Sequence, residues 1–325
     1  MKKLLFKVIL GSAAGAAIYV AFSIWADARS VGRALADFNW LIAFGALALA
    51  FLNYLVRFGR WHFYLKRLGF HVPVGHSFLV FLGGFSLTVT PGKLGEVVKA
   101  LLLRASHGIA ATRTAPIVVA ERLTDLMGLL LLSCVGLFTF KTNPKLLIAG
   151  AVIIAAGLLV IAVKPFAMFC LRLCGAIPGL RKIAPKLQEA YSTTSALLRP
   201  APLALGVTMA AVSWFFECAA FWAVVHGFAG ASVDLQAATF IYASMTIAGA
   251  LSFLPGGLGV TEAGMLAMLG EGELAHGCGR SVAAAATFVT RLCTLWFAVV
   301  LGIAALLIFA QRTKIRVELP ENSIP

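Results

Sequence analysis

Thr90-Pro91-Gly92-Lys93-Leu94-Gly95-Glu96 sits in apolar sequence, and Leu254-Pro255-Gly256-Gly257-Leu258-Gly259-Val260-Thr261-Glu262 repeats its pattern 164 positions later. Each copy reads Pro-Gly-x-Leu-Gly followed by a glutamate. Helix breakers and an acid at membrane depth are unfavourable, because lipid supplies no partner for freed backbone groups or for a charge. Paired Gly/Pro interruptions at corresponding places in two halves of a chain are a sequence mark of a transporter binding site.

Working outward, Val74 to Thr90 leads into the first break and Leu94 to Leu103 leaves it. Phe240 to Phe253 leads into the second, and Glu262 to Leu269 leaves. No arm approaches the roughly 20 apolar residues that a bilayer core requires. Each pair therefore reads as a re-entrant hairpin whose break is buried among other helices. Around the hairpins, full spans are expected at about Phe6–Trp25, Trp40–Val56, Pro116–Phe138, Leu146–Val163, Leu203–Val225 and Val282–Phe309. The expected fold is an all-α polytopic membrane protein, with about six transmembrane helices plus two re-entrant helical hairpins in an inverted repeat. The whole chain, 1–325, reads as one integral membrane domain with repeat halves at about 38–140 and 202–310. Residues 164–200 form a basic linker, with an interfacial amphipathic helix expected around Lys186 to Leu198.

Composition supports this reading. The chain is 61% hydrophobic, where soluble domains are roughly 45–50% apolar, and its mean hydropathy is +0.94. The charge of +14 comes from 27 Lys and Arg against 13 Asp and Glu. No compact basic domain carries it, which argues against nucleic acid. With both termini in the cytoplasm and both Pro-Gly segments re-entrant, eighteen bases fall on the cytoplasmic side, the basic segment Arg57, Arg60, Lys66 and Arg67 after the second span among them, and five on the other. That satisfies the positive-inside rule and gives anionic phospholipid headgroups as cytoplasmic-face partners. It also makes the hairpins enter from opposite faces, the arrangement of an alternating-access device. Lys2, Lys3 and Lys7 precede an apolar run to Trp25 that is too long for a signal peptide, so it is read as a retained first span. The six cysteines show no CxxC or zinc spacing, and no metal, disulfide or cofactor is expected. No oligomeric state is assigned.

Nine ionisable residues remain at apparent membrane depth: Lys93, Lys99, Arg122 and Arg291, with Glu96, Glu121, Asp125, Glu217 and Glu262. Lys93 with Glu96, Glu96 with Lys99, and Arg122 with Asp125 are i,i+3 neighbours on a helix. One reading makes them structural ion pairs that hold broken helices together. The functional reading has the half-helix N-terminus after each break facing an anion such as a phosphate. Gly92, Gly95, Gly256, Gly257 and Gly259 would then allow close approach, while Pro91 and Pro255 set the breaks and Thr90 and Thr261 flank them. Lys93, Arg122 and Arg291 would supply charge-assisted hydrogen bonds. Glu217, one turn from Trp214, either lines the cavity or satisfies Arg291. No GxSxG, HExxH or P-loop is present, which argues against hydrolase and ATPase roles.

The two Pro-Gly elements, together with Glu121-Arg122-Leu123-Thr124-Asp125, resemble the flippase-like family, also described as the lysylphosphatidylglycerol synthetase transmembrane region. The resemblance covers roughly residues 5–310. It implies a bacterial-type inner-membrane protein that moves a lipid headgroup between leaflets, with those three elements at the site. Some members fuse this region to a soluble aminoacyl-transferring domain. No such domain follows Arg316, so a stand-alone member acting on an anionic or glycosylated lipid is expected. Two alternatives stay open: an integral-membrane enzyme or accessory subunit for headgroup modification, using carboxylates such as Glu121 and Asp125, and a scaffold for lipid-biosynthesis enzymes.

Overall fold

Asn39 starts the first long helix by accepting the Leu41 N–H on its side chain at 3.1 Å, as N-cap residues do. The computed structural model describes residues 28–89, 98–139, 194–252, 254–270 and 274–313. A short helix, α1 (Ala28–Ala36), precedes this one, α2 (Trp40–Arg67). Gly69 ends α2 in the left-handed region at φ +79°, and the Phe70 N–H returns to the Leu65 carbonyl at 2.9 Å. That is a Schellman stop, completed by Lys66 and Arg67 at the negative end of the helix.

α3 (Val74–Gly83) runs on through a 3-10 turn, Gly84–Leu87, toward the first Pro-Gly element, and α4 (Val98–His107) leads away from it. α5 (Ala111–Thr139) closes the first half, with Pro116 inside its first turns. α6 (Pro200–His226) is followed by α7 (Leu235–Leu251), the turn Pro255–Gly257 and α8 (Val260–Gly270). Last come α9 (Arg280–Arg291), a π-helical turn Leu292–Trp296 and α10 (Phe297–Thr313). Two short antiparallel strands, β1 (Ser232–Val233) and β2 (Ala275–His276), tie together the loops before α7 and α9.

Among the described residues, three helices are long and apolar enough to cross a membrane: Trp40–Arg67, Pro200–His226 and the run Arg280–Arg312. α5, at 29 residues, has the length but carries Arg113, Glu121, Arg122 and Asp125. The expected spans at 6–25 and 146–163, and nearly all of the 164–200 linker, lie outside the described residues. The described fold is mostly helical, with three candidate spans and several shorter apolar helices.

Packing exchanges partners between the halves. α2 lies along α6, α5 packs on α6 and α7, and α10 packs on α3 and its 3-10 turn. Small residues permit the close approach, as in membrane helix pairs generally: a Cβ on Gly128 would come within 2.7 Å of the Ala211 backbone nitrogen. One apolar cluster joins α6 to α9, and a second joins α2 to α5 with α10. Between them, Val89 from the first half meets Leu258, Leu295 and Val299 from the second. The lead-in to the first break thus touches the second break.

Candidate functional site

The second Pro-Gly element folds as a hairpin tip. Gly256, Gly257 and Gly259 all adopt positive φ, at 62°, 69° and 89°, a region that side chains with a Cβ enter only with strain. Glycine is needed for a second reason at Gly249 on α7, which lies directly against the Thr261 hydroxyl on α8. Thr261 donates to the Met245 carbonyl at 3.3 Å, fastening the two arms together. Glu262, in the first turn of α8, accepts the Gly259 N–H at 2.7 Å. This is the glutamate half of a capping box. The other oxygen of Glu262 accepts from Arg291 Nε at 2.6 Å, and Arg291 Nη2 donates to the Gly256 carbonyl at 2.8 Å. One guanidinium therefore grips both the carboxylate and the backbone of the break.

A second cluster centres on Asp125. Its Oδ1 accepts from Arg60 at 2.6 Å, and its Oδ2 lies 3.0 Å from Arg122 and 3.8 Å from Arg57. Arg60 also donates to Thr124 at 3.0 Å. The Arg57 guanidinium sits over the rings of Phe85 and Trp214, at 5.2 and 5.6 Å, where the aromatic faces favour a cation. Arg122 is the most accessible of these groups, its side chain 24% exposed.

Both clusters open on a cavity of about 290 Å³. Arg57, Arg122, Asp125, Trp214, Glu217, Tyr242 and Arg291 line it, with Thr88, Thr246, Thr261 and the tip residues Gly256 and Gly257. Glu217 accepts from the Tyr242 hydroxyl at 2.6 Å. Opposite, Tyr54 donates at 2.6 Å to the carbonyl of Thr294 within the π-helical turn, a distortion common at functional sites. Three arginines line it, Arg57, Arg122 and Arg291, against two carboxylates, Asp125 and Glu217. The balance favours an anion.

The family model described as the lysylphosphatidylglycerol synthase TM region matches residues 9–302, about nine-tenths of the chain. The chain belongs to this family. It is a membrane-protein family linked to lipid handling. A UPF0104 membrane protein of Methanothermobacter thermautotrophicus is 24% identical over 293 residues, covering 82% of this chain and 85% of the relative. A second UPF0104 membrane protein, from Methanocaldococcus jannaschii, is 25% identical over 292 residues, covering 82% and 84%. The family match therefore spans both Pro-Gly elements and the long helices alike.

Against the expected site residues, the structure of this family member makes a division. Arg122, Asp125, Glu217, Gly256, Gly257, Thr261 and Arg291 line one cavity, and Pro255, Gly259 and Glu262 hold its hairpin tip. Lys99 and Glu121 pair at 2.6 Å, almost fully buried, with Lys99 over Trp61 and Phe81 at 4.7 and 5.2 Å. They are not among the cavity-lining residues. Thr90, Pro91, Gly92, Lys93, Gly95 and Glu96 lie outside the described residues.

Sequence reading missed Arg57 and Arg60, which were assigned to a cytoplasmic basic segment. Both continue the buried stripe of α2, which includes Ala50, Asn53, Tyr54, Arg57, Arg60, Trp61 and Tyr64. That helical periodicity, carried unbroken through two arginines, was the available signal. Tyr54 and Tyr242 were missed for want of any local signal, because each acts through a residue distant in sequence.

Proposed function

We propose that this chain is a lipid translocator: it carries an anionic or glycosylated lipid headgroup between leaflets while the tail stays in the bilayer. One observation carries the reading, a cavity lined by Arg57, Arg122 and Arg291 and closed on one side by the Pro-Gly hairpin tip. A soluble ligand would not need such a site among lipid-facing helices, whereas a headgroup crossing hydrocarbon needs charge and hydrogen-bond donors along its route. The family's link to lipid handling supports the same reading. The role is transport rather than catalysis, in an inner membrane with both termini cytoplasmic and with lipid-biosynthesis enzymes as natural neighbours.

The two halves act as an inverted repeat. Support comes from the shared order of long helix, broken pair and long helix, and from the reciprocal packing of α5 on α7 and of α10 on α3. Alternating exposure of the cavity then follows from rocking one half against the other.

The test is translocation of a labelled lipid in liposomes. Arg57→Gln with Arg122→Gln is expected to abolish transfer in protein that still elutes as the unaltered chain does, with a lowered melting temperature, since Arg60 remains to pair with Asp125. Undiminished transfer in that variant would overturn the reading.

A further inference from the structure

Among the described residues that line the cavity, three are exposed: Ala250, Leu251 and Leu254. All three are apolar, and they sit together where α7 runs into the second break. The α7 face that leads to them changes character along its length. Tyr242, Thr246 and Ala250 follow one another at i, i+4 and i+8, a single stripe about 12 Å long at 1.5 Å per residue. Tyr242 is buried, Thr246 half-buried and Ala250 exposed, so hydroxyls line the interior and alkyl groups line the rim. A mouth facing water would reverse that order, since polar and charged side chains cover wet surface. Here the chain carries no charged residue from Leu235 to Thr261, and such a rim suits hydrocarbon. Of the basic lining groups, Arg122 is the most accessible: its side chain is 24% exposed, against 7% for Arg57 and 8% for Arg291.

The volume of the cavity sets a second condition. About 290 Å³ lies at the lower end of the roughly 300–1,000 Å³ of pockets that enclose a drug-sized ligand. Such a space takes a headgroup and leaves the hydrocarbon chains of a lipid outside, so the chains must cross the rim. We infer that the cavity opens sideways into the bilayer over Ala250, Leu251 and Leu254 and takes a phosphate-headed membrane lipid astride this rim. The phosphate points inward toward Arg122 and Arg57, and the first chain carbons lie on the three alkyl side chains. This deepens the translocator reading and rests on it. A guanidinium offers paired donors to phosphate oxygens, while a headgroup with hydroxyls alone has no charge to match the arginine excess of the lining.

The experiment places the purified full chain in liposomes with a phosphatidic acid that carries a diazirine on the first carbons of one acyl chain, and maps the adducts by mass spectrometry after illumination. Adducts are expected to concentrate on residues 250–254, to fall when unlabelled dioleoyl phosphatidic acid is added, and to persist when dioleoylglycerol is added instead. Arg122→Gln should cut them at least about tenfold, the worth of one charge-assisted hydrogen bond. Adducts spread as densely over Leu41, Phe44 and Leu307, exposed apolar residues outside the cavity lining, would overturn the sideways opening. Equal displacement by dioleoylglycerol would overturn the phosphate. Both are read on the unaltered chain, so neither depends on a variant that folds. A block at the rim tests passage itself: Leu251→Cys, in a background with the native cysteines replaced, is modified in detergent with a bulky maleimide and returned to liposomes. Its transfer of labelled phosphatidic acid is expected to stop, relative to the same protein left unmodified, while Leu307→Cys modified alike keeps its transfer. Undiminished transfer by the blocked Leu251 variant would overturn this inference and leave the translocator reading standing. Displaceable adducts at 250–254 without transfer by the unaltered chain would do the reverse.

Discussion

Two buried ion pairs of similar length have opposite uses. Glu262 and Arg291 meet at 2.6 Å, as do Lys99 and Glu121, yet only Arg291 lines the cavity and grips the broken backbone. Replacing a buried pair by apolar residues of like volume is often neutral or stabilising. Lys99→Met with Glu121→Leu is therefore expected to leave the melting temperature in detergent unchanged or raised and to preserve transfer; loss of transfer in a well-folded double variant would return the pair to the site. Arg291→Lys is expected to behave differently, because one ammonium replaces a guanidinium that serves two acceptors in different directions. Breaking one side of a buried pair costs about 3–5 kcal/mol, read as a lower melting temperature together with lost transfer. Asp125→Asn should cost a similar amount, since Arg57, Arg60 and Arg122 lose the carboxylate that neutralises them. At this scale the sequence was half legible. The i,i+3 pairing of Arg122 with Asp125 follows from spacing alone and is observed at 3.0 Å. Lys99 also reaches Glu121, 22 residues away on another helix, and local spacing carries no information about which helices meet.

Among the elements, the hairpin tip was the most legible, because its breakers stand out against apolar sequence and their conformations are the ones glycine alone adopts freely. Gly256→Ala and Gly259→Ala each place a Cβ at φ above +60°, at about 1–2 kcal/mol per residue. The double variant is expected to lose about 2–4 kcal/mol and to release the tip, seen as faster hydrogen exchange confined to residues 254–262. Gly45→Ala, at a helical glycine with open space around its missing Cβ, should cost nothing and is a control for glycine replacement as such. If the double variant exchanges like the unaltered chain, the positive φ values do not hold the break. The length of α2 was less legible. Arg57 and Arg60 read as the end of a span, yet the helix runs on to Arg67, about 42 Å in all at 1.5 Å per residue. The arginines are tolerated because Asp125 and the rings of Phe85 and Trp214 meet them from three other elements. The π-helical turn had no signature in composition; it becomes intelligible once Tyr54 is seen to donate to the Thr294 carbonyl inside it.

For the whole molecule, moving Arg57 and Arg60 to the interior lowers the cytoplasmic count from eighteen bases to sixteen against five. The positive-inside asymmetry survives, so the proposed orientation does not depend on the two residues that were misplaced. The same relocation puts their charge where two halves meet. Val89 and Leu258 share an apolar cluster with Leu295 and Val299, so the lead-in to one break rests on the tip of the other at the edge of the cavity. Rocking of one half against the other must part this contact if each hairpin gates its own side. Val89→Cys with Leu258→Cys, in a background with the six native cysteines replaced, is expected to cross-link with a short bifunctional reagent. The linked protein should still bind the preferred lipid but lose transfer, and cleavage of the linker should restore it. Each single-cysteine variant treated alike should transfer normally. Full transfer by the linked protein would mean that the two breaks stay together through the cycle, and the moving boundary would then have to lie elsewhere, along α5 with α7 or α10 with α3.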